Sequence, residues 1–105
     1  MTKLIAIYRQ PEDQQAFDEH YFQVHAPLAK KMPGLKKIEV TRFVGTPMGG
    51  ESPYYLMAEM VFEDRKTLDE AMASEEGRAA AKDLMGFAGK LVTMMIGETA
   101  SGDEK

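Results

Sequence analysis

"YYLMAEMVF", residues 54–62, is the stretch on which the fold turns. Side chains of an extended strand alternate between its two sides. Tyr54, Leu56, Ala58, Met60 and Phe62 therefore share one side, and Tyr55, Met57, Glu59 and Val61 the other. Both sides are largely apolar. A strand of an antiparallel sheet with one wet side alternates apolar with polar residues, so this one reads as a central strand. "KLIAIYR" (residues 3–9) is short and apolar too, and is expected to be buried on both faces. In "LVTMMIGE" (91–98), Val92, Met94 and Ile96 oppose Leu91, Thr93 and Met95, again without a polar side. "LKKIEVTRFVG" (35–45) is a strand that alternates less cleanly and carries more charge.

Helices fill the gaps between these strands. "QPED" turns the chain, Asp13 is a plausible N-cap, and Phe17, Tyr21, Val24 and Leu28 recur at helical spacing as a buried stripe. Pro33-Gly34 ends that segment, and "TPMGGESP" is a loop by composition. Asp64 caps a short helix, "RKTLDEAMA", and Ser74 with Glu75 and Glu76 opens the next, "EEGRAAAKDLMGFA". The order predicts an α+β fold: a ferredoxin-like βαββαβ sandwich with an antiparallel four-stranded sheet whose first and third strands are central. Helices cover one face of such a sheet. The other face is too apolar for water, which predicts a homodimer packed sheet to sheet around an enclosed, barrel-like centre. Residues 1–98 form the single domain and residues 99–105 a flexible tail.

The bulk numbers agree with one ordinary domain: 105 residues, 44% hydrophobic and 29% charged, with a net charge of -4. Basic residues are scattered, so no nucleic-acid partner is expected. The N-terminal apolar run is too short for a signal peptide or a membrane span, which predicts no membrane partner. The lack of cysteine excludes disulfides, zinc-thiolate sites and thiol nucleophiles, and agrees with a cytoplasmic location.

The candidate chemistry centres on "HYFQVHAPLAKKMPG" (20–34), which holds both histidines of the chain. At about 100° per residue, His20 and His25 point roughly 140° apart, on opposite flanks of the stripe. Zinc pairs on a helix use spacings of three or four, so no metal is expected. Pro27 disfavours helical geometry at Ala26, and the helix is expected to break or kink just past His25. There the helix dipole favours imidazolium while burial opposes it, leaving the sign of its pKa shift open. His25 then either caps a freed carbonyl or serves as an acid–base group, and His20 reads as a solvated edge residue.

Glu59 is the second anomaly, because a carboxylate buried in an apolar strand is costly unless paired. It is either an ion-pair member, with Arg42 as candidate partner, or a ligand-facing acid or base. Asp83 reads as a solvated residue or a local hydrogen-bond acceptor. Tyr8, Tyr21, Tyr54 and Tyr55 offer hydroxyls to a pocket wall, or simply pack. The nine methionines supply pliable packing and suit apolar ligands of varied shape. No phosphate loop or nucleophile elbow is present.

"AFDEHYFQVHAPLAKKMPGLKKIEV", "SPYYLMAEMVFED" and "SEEGRAAAKDLMGFA" together resemble the EthD family of the dimeric α+β barrel superfamily. The similarity runs over residues 5–98, and "HYFxxHxPLAxKxPGL" is its most specific part. The resemblance implies a ferredoxin-like protomer that dimerises through its sheets into an α+β barrel. It also implies small-molecule catabolism. The family is named from a gene cluster for ethyl tert-butyl ether degradation and includes a methylmuconolactone isomerase and fungal polyketide enzymes. Its wider superfamily holds cofactor-free monooxygenases and haem-degrading proteins. The expected function is cofactor-independent acid–base chemistry, of isomerase, lyase or oxygenase type, on a small apolar, aromatic or lactone metabolite. His25 would be the general acid–base group and Glu59 or a tyrosine hydroxyl would orient the substrate. Tyr8, Tyr21, Tyr55 and Asp83 are the candidate ligand-binding residues. The alternatives are a non-catalytic binding or accessory protein of a degradation pathway, and haem binding with oxidation.

Overall fold

The computed structural model describes residues 1–102. Strand β1 (Thr2–Arg9) leads into helix α1 (Gln14–His20), a π-helical turn (Tyr21–His25) and helix α2 (Ala26–Ala29). Strands β2 (Lys37–Arg42) and β3 (Tyr54–Phe62), helices α3 (Arg65–Ala73) and α4 (Glu75–Ala88), and strand β4 (Val92–Glu98) follow. The sheet order is β2-β3-β1-β4 and every pairing is antiparallel. This is the ferredoxin-like α+β fold, with the two most apolar strands in the middle. The expected tail begins after β4, where the Thr99 N–H still bonds the Met1 carbonyl. Its residues 103–105 lie outside the described residues.

The three caps read from the sequence are in place. The side chains of Asp13, Asp64 and Ser74 accept hydrogen bonds from the backbone N–H of Ala16, Thr67 and Gly77. Each satisfies a donor that the first helical turn leaves without a partner.

Three features depart from the sequence pattern. In β1, burial alternates: Leu4, Ala6 and Tyr8 are buried under the helices, while Ile5 and Ile7 on the opposite face stay half-exposed. In β3, one extra residue interrupts the register, since Tyr8 faces Leu56 but Arg9 faces Tyr54. This bulge turns Tyr55 to the helix side, where its ring meets Phe17 edge-on at 5.5 Å. Tyr55 therefore leaves the face it was expected to share with Met57 and Glu59.

The third departure is the π-turn, which stands where a break or kink just past His25 was expected. Ala26 is fully helical, with φ -59 and ψ -43, and its N–H reaches back five residues to the Tyr21 carbonyl. A proline inside an α-helix lacks one N–H and its ring crowds the carbonyl four residues back. The wider π-turn just ahead of Pro27 removes that conflict without ending the helix. It also shifts the buried stripe. Phe17 and Tyr21 are buried as expected, but beyond them the line continues through His25, Ala26 and Ala29. Val24 is left exposed and Leu28 only half-buried.

The apolar interior falls into two clusters. One gathers around Tyr8, Phe17, Tyr21, Leu56 and Leu84, the other around Leu4, Met32, Met60, Phe62 and Leu68.

Candidate functional site

Between these clusters lies a cavity of about 80 Å³, enclosed by the helix-covered face of the sheet, the α1–α2 helix and α4. This cavity lies within one protomer, on the helix side of the sheet. The sheet contributes Leu4, Ala6, Tyr8, Ala58, Met60 and Met94; the helices contribute Tyr21, His25, Ala29, Gly77 and Leu84 among others. No lysine, arginine, aspartate or glutamate lines it.

Its polar groups are two phenols and one imidazole. Tyr8 and Tyr21 are each 1% exposed, and their rings meet edge-on at 5.8 Å. Neither hydroxyl is hydrogen-bonded to a described residue. Among the described residues, no sequestered side-chain nitrogen or oxygen is left without a partner. Both hydroxyls therefore border the open space of the cavity. Burial raises the pKa of each phenol, that of Tyr21 to about 12. At neutral pH both remain protonated and able to donate.

His25 is 6% exposed and its ring lies 5.6 Å from that of Tyr21. Its Nδ1 is 3.1 Å from Oδ2 of Asp83, on α4. The other carboxylate oxygen, Oδ1, is 2.8 Å from Nε2 of His20. One carboxylate thus holds both histidines, using both of its oxygens. Burial lowers the pKa of His25 below its ordinary value; the bond to Asp83 and its charge pull the other way, and the nearby His20 adds to the lowering. The sign left open by the sequence is therefore settled by desolvation. His20 stacks on Phe87 at 4.3 Å, and Phe87 also contacts the His25 ring at 5.4 Å.

The π-turn explains why the two histidines meet. With a 3.6-residue repeat they would point apart, whereas the wider i to i+5 turn reduces that angle, and both rings reach Asp83. His20, expected as a solvated edge residue, is in this cluster. The sequence pointer is a five-residue histidine spacing with a proline two residues beyond, and it does not say that the helix continues.

Of the other residues singled out, Glu59 lies on the helix-free face of the sheet, opposite to the cavity. Its partner is Lys3 at 3.6 Å, whereas Arg42 pairs with Asp18 at 3.0 Å. Tyr55 donates its hydroxyl to Asp18 Oδ1 at 2.8 Å and does not line the cavity. The structure thus gathers Tyr8, Tyr21, His25 and Asp83, and leaves Glu59 and Tyr55 elsewhere. Cavity walls from Met32, Met72, Gly77 and Met94 carried no polar signal in the sequence. Among the described residues no group of three or more histidine, aspartate or glutamate side chains is arranged to hold a metal ion.

Comparison with known proteins adds the following. The family model described as the EthD domain matches residues 9–90. The chain is 35% identical to an uncharacterized 11.0 kDa protein from the thcB–thcC intergenic region of Rhodococcus erythropolis, covering 91% of this chain and 92% of that one. It is 61% identical to an ethyl tert-butyl ether D (EthD) family protein from Bacillus halodurans of known structure, with a TM-score of 0.90 over 93% of this chain and 97% of that one. More distant structures share the fold. One is a dimeric ferredoxin-like protein of unknown function from Thermobifida fusca, 14% identical, with a TM-score of 0.67 over 91% and 88% of the two chains. Another is SnoaB, a cofactor-independent oxygenase from Streptomyces nogalater, 19% identical, with a TM-score of 0.63 over 98% and 94%.

Proposed function

The chain belongs to the EthD family, and from that premise we propose that it binds a small apolar metabolite in its sheet–helix cavity and performs cofactor-independent acid–base chemistry on it. One observation carries this reading: a buried histidine, tied through Nδ1 to a carboxylate, lines an apolar cavity beside two unbonded phenol hydroxyls. Donating Nδ1–H to Asp83 fixes the tautomer and leaves Nε2 as the free base of the ring. Its lowered pKa keeps His25 neutral at pH 7, ready to accept a proton.

The step we assign is proton abstraction next to a carbonyl. Nε2 takes the proton, negative charge moves to the carbonyl oxygen, and the hydroxyls of Tyr8 and Tyr21 donate to that oxygen. The Asp83 carboxylate, bonded to Nδ1, stabilises the imidazolium formed. Isomerase, lyase and cofactor-free oxygenase reactions share this opening step, and a cofactor-independent oxygenase is among the proteins of this fold. A lining without fixed charge suits aromatic compounds and lactones better than carboxylates or phosphates.

The active unit is a homodimer, as the dimeric relative of this fold is described to be. On the helix-free sheet face Ile5, Ile7, Met57, Val61 and Met95 form an apolar field crossed by the Lys3–Glu59 pair. Lack of cysteine suits a reducing compartment, so we place the protein in the cytoplasm. No helix among the described residues is long and apolar enough to cross a membrane.

The test is a panel of aromatic and lactone compounds, screened first by thermal shift and then for turnover. Turnover that His25→Gln abolishes while binding persists supports the assignment. The second reading, a non-catalytic carrier, rests on how little polar surface the cavity holds; stabilising ligands that are never converted, and bind His25→Gln equally well, select it.

A further inference from the structure

The proposed chemistry uses His25, Tyr8 and Tyr21, and leaves His20 without a task. Its placement is specific. His20 is half-exposed, yet its Nε2 sits 2.8 Å from the same carboxylate that holds the buried His25. Its ring stacks on Phe87, and the same Phe87 ring lies against that of His25. A solvated edge histidine needs neither contact. The π-turn holds both histidines on one side of the helix so that one α4 carboxylate reaches them together.

We propose that His20 is a positioning residue for His25: from the solvent side it fixes the Asp83 carboxylate that aims the His25 ring, and its own charge sets how much of the Asp83 field reaches the cavity. The inference rests on the reading of His25 as the proton-transfer group. When His20 is neutral, the carboxylate faces His25 with its full charge and supports the imidazolium. A positive charge on His20 shares that carboxylate and repels a second proton on His25. The groups facing His25 are Asp83, His20, Tyr8 and Tyr21. Those around His20 are Asp83 and Lys82 from α4, Lys90 beyond it, and Glu12 and Asp13 ahead of α1. Of all these, Asp83 alone bonds both rings.

The experiment is a histidine NMR titration of the intact protein. His20→Gln keeps an amide donor for Asp83 but carries no charge, and it leaves His25 as the single histidine, so assignment is unambiguous. The midpoint of His25 is expected to rise by about half a pH unit in this variant. In an Asp83→Asn background the same substitution is expected to move it much less. An unmoved midpoint in folded His20→Gln overturns the proposal, and so does an equal shift with and without Asp83. Should Asp83→Asn fail to fold, His20→Ala supplies the second arm. It removes the donor as well as the charge, and protection of a His25 Nδ1 proton from solvent exchange is expected in His20→Gln and not in His20→Ala. Retention of that proton in His20→Ala overturns the positioning role. These readouts are separate from activity. If His25→Gln abolishes turnover but the titration does not move, only His20's role fails; if the titration moves but His25→Gln still turns over, only the acid–base reading fails.

Discussion

At His25, burial and the Asp83 bond pull on the same proton in opposite directions, and burial wins. A histidine whose folded pKa lies below its unfolded value of 6.5 contributes its full stability above that pH, and loses it as pH falls through the folded value. Melting temperature should therefore decline as pH drops below about 6.5, and His25→Gln should flatten that decline; parallel curves for the two proteins would refute it. The phenols make a complementary test. Because the Tyr8 and Tyr21 hydroxyls have no described protein partner, Tyr8→Phe and Tyr21→Phe should change folding stability by no more than about 0.5 kcal/mol in urea titrations. Turnover of a converted ligand should nonetheless fall by roughly a hundredfold for each. The site was legible in part: His25 was the expected acid–base group and Tyr8, Tyr21 and Asp83 were candidate ligand-binding residues, although Asp83 on its own read as a solvated residue or a local acceptor. Glu59 stood out equally, and only three-dimensional placement separates it from them, because strand alternation does not say which face the cavity uses.

Helix phase is what the sequence concealed. A 3.6-residue repeat holds for Phe17 and Tyr21 and then fails, because the π-turn inserts one residue's worth of rotation before Pro27. A bulge does the same to β3 at Tyr55. Both are single-residue slips, and periodicity arguments have no means of locating them. Capping chemistry, being local, transferred intact. Ser74 closes α3 with its backbone and opens α4 with its side chain, so Ser74→Ala should cost about 1 kcal/mol by denaturant unfolding. Two turns of chain are squeezed together at the same corner. A methyl group on Gly77 would lie 2.1 Å from the Ala71 carbonyl oxygen, which forces α3 and α4 apart. Gly77→Ala should destabilise by about 2 kcal/mol, and a wild-type unfolding midpoint in that variant would show the corner to be looser than its geometry.

At the scale of the molecule the protomer is a slab, 39 × 37 × 19 Å, with helices on one broad side only. Its radius of gyration is 14.3 Å, against about 13 Å for a compact chain of this length. That shape suits one half of a larger particle, and the fold class and the central place of β1 and β3 were readable from element order together with apolar patterning. If the bare side meets a second copy, Met57→Lys plants two like charges in a dry interface. Sedimentation should then show the dimer weakened by roughly a hundredfold or more, whereas an unchanged dimer would move the contact elsewhere. The divided interior has a further consequence. If the cavity takes a ligand, as we propose, that guest becomes filling for both apolar clusters that face each other across the gap. Occupancy then joins regions that would otherwise loosen separately, so the loaded protein should exchange its buried amides as one block where the empty one exchanges them as two.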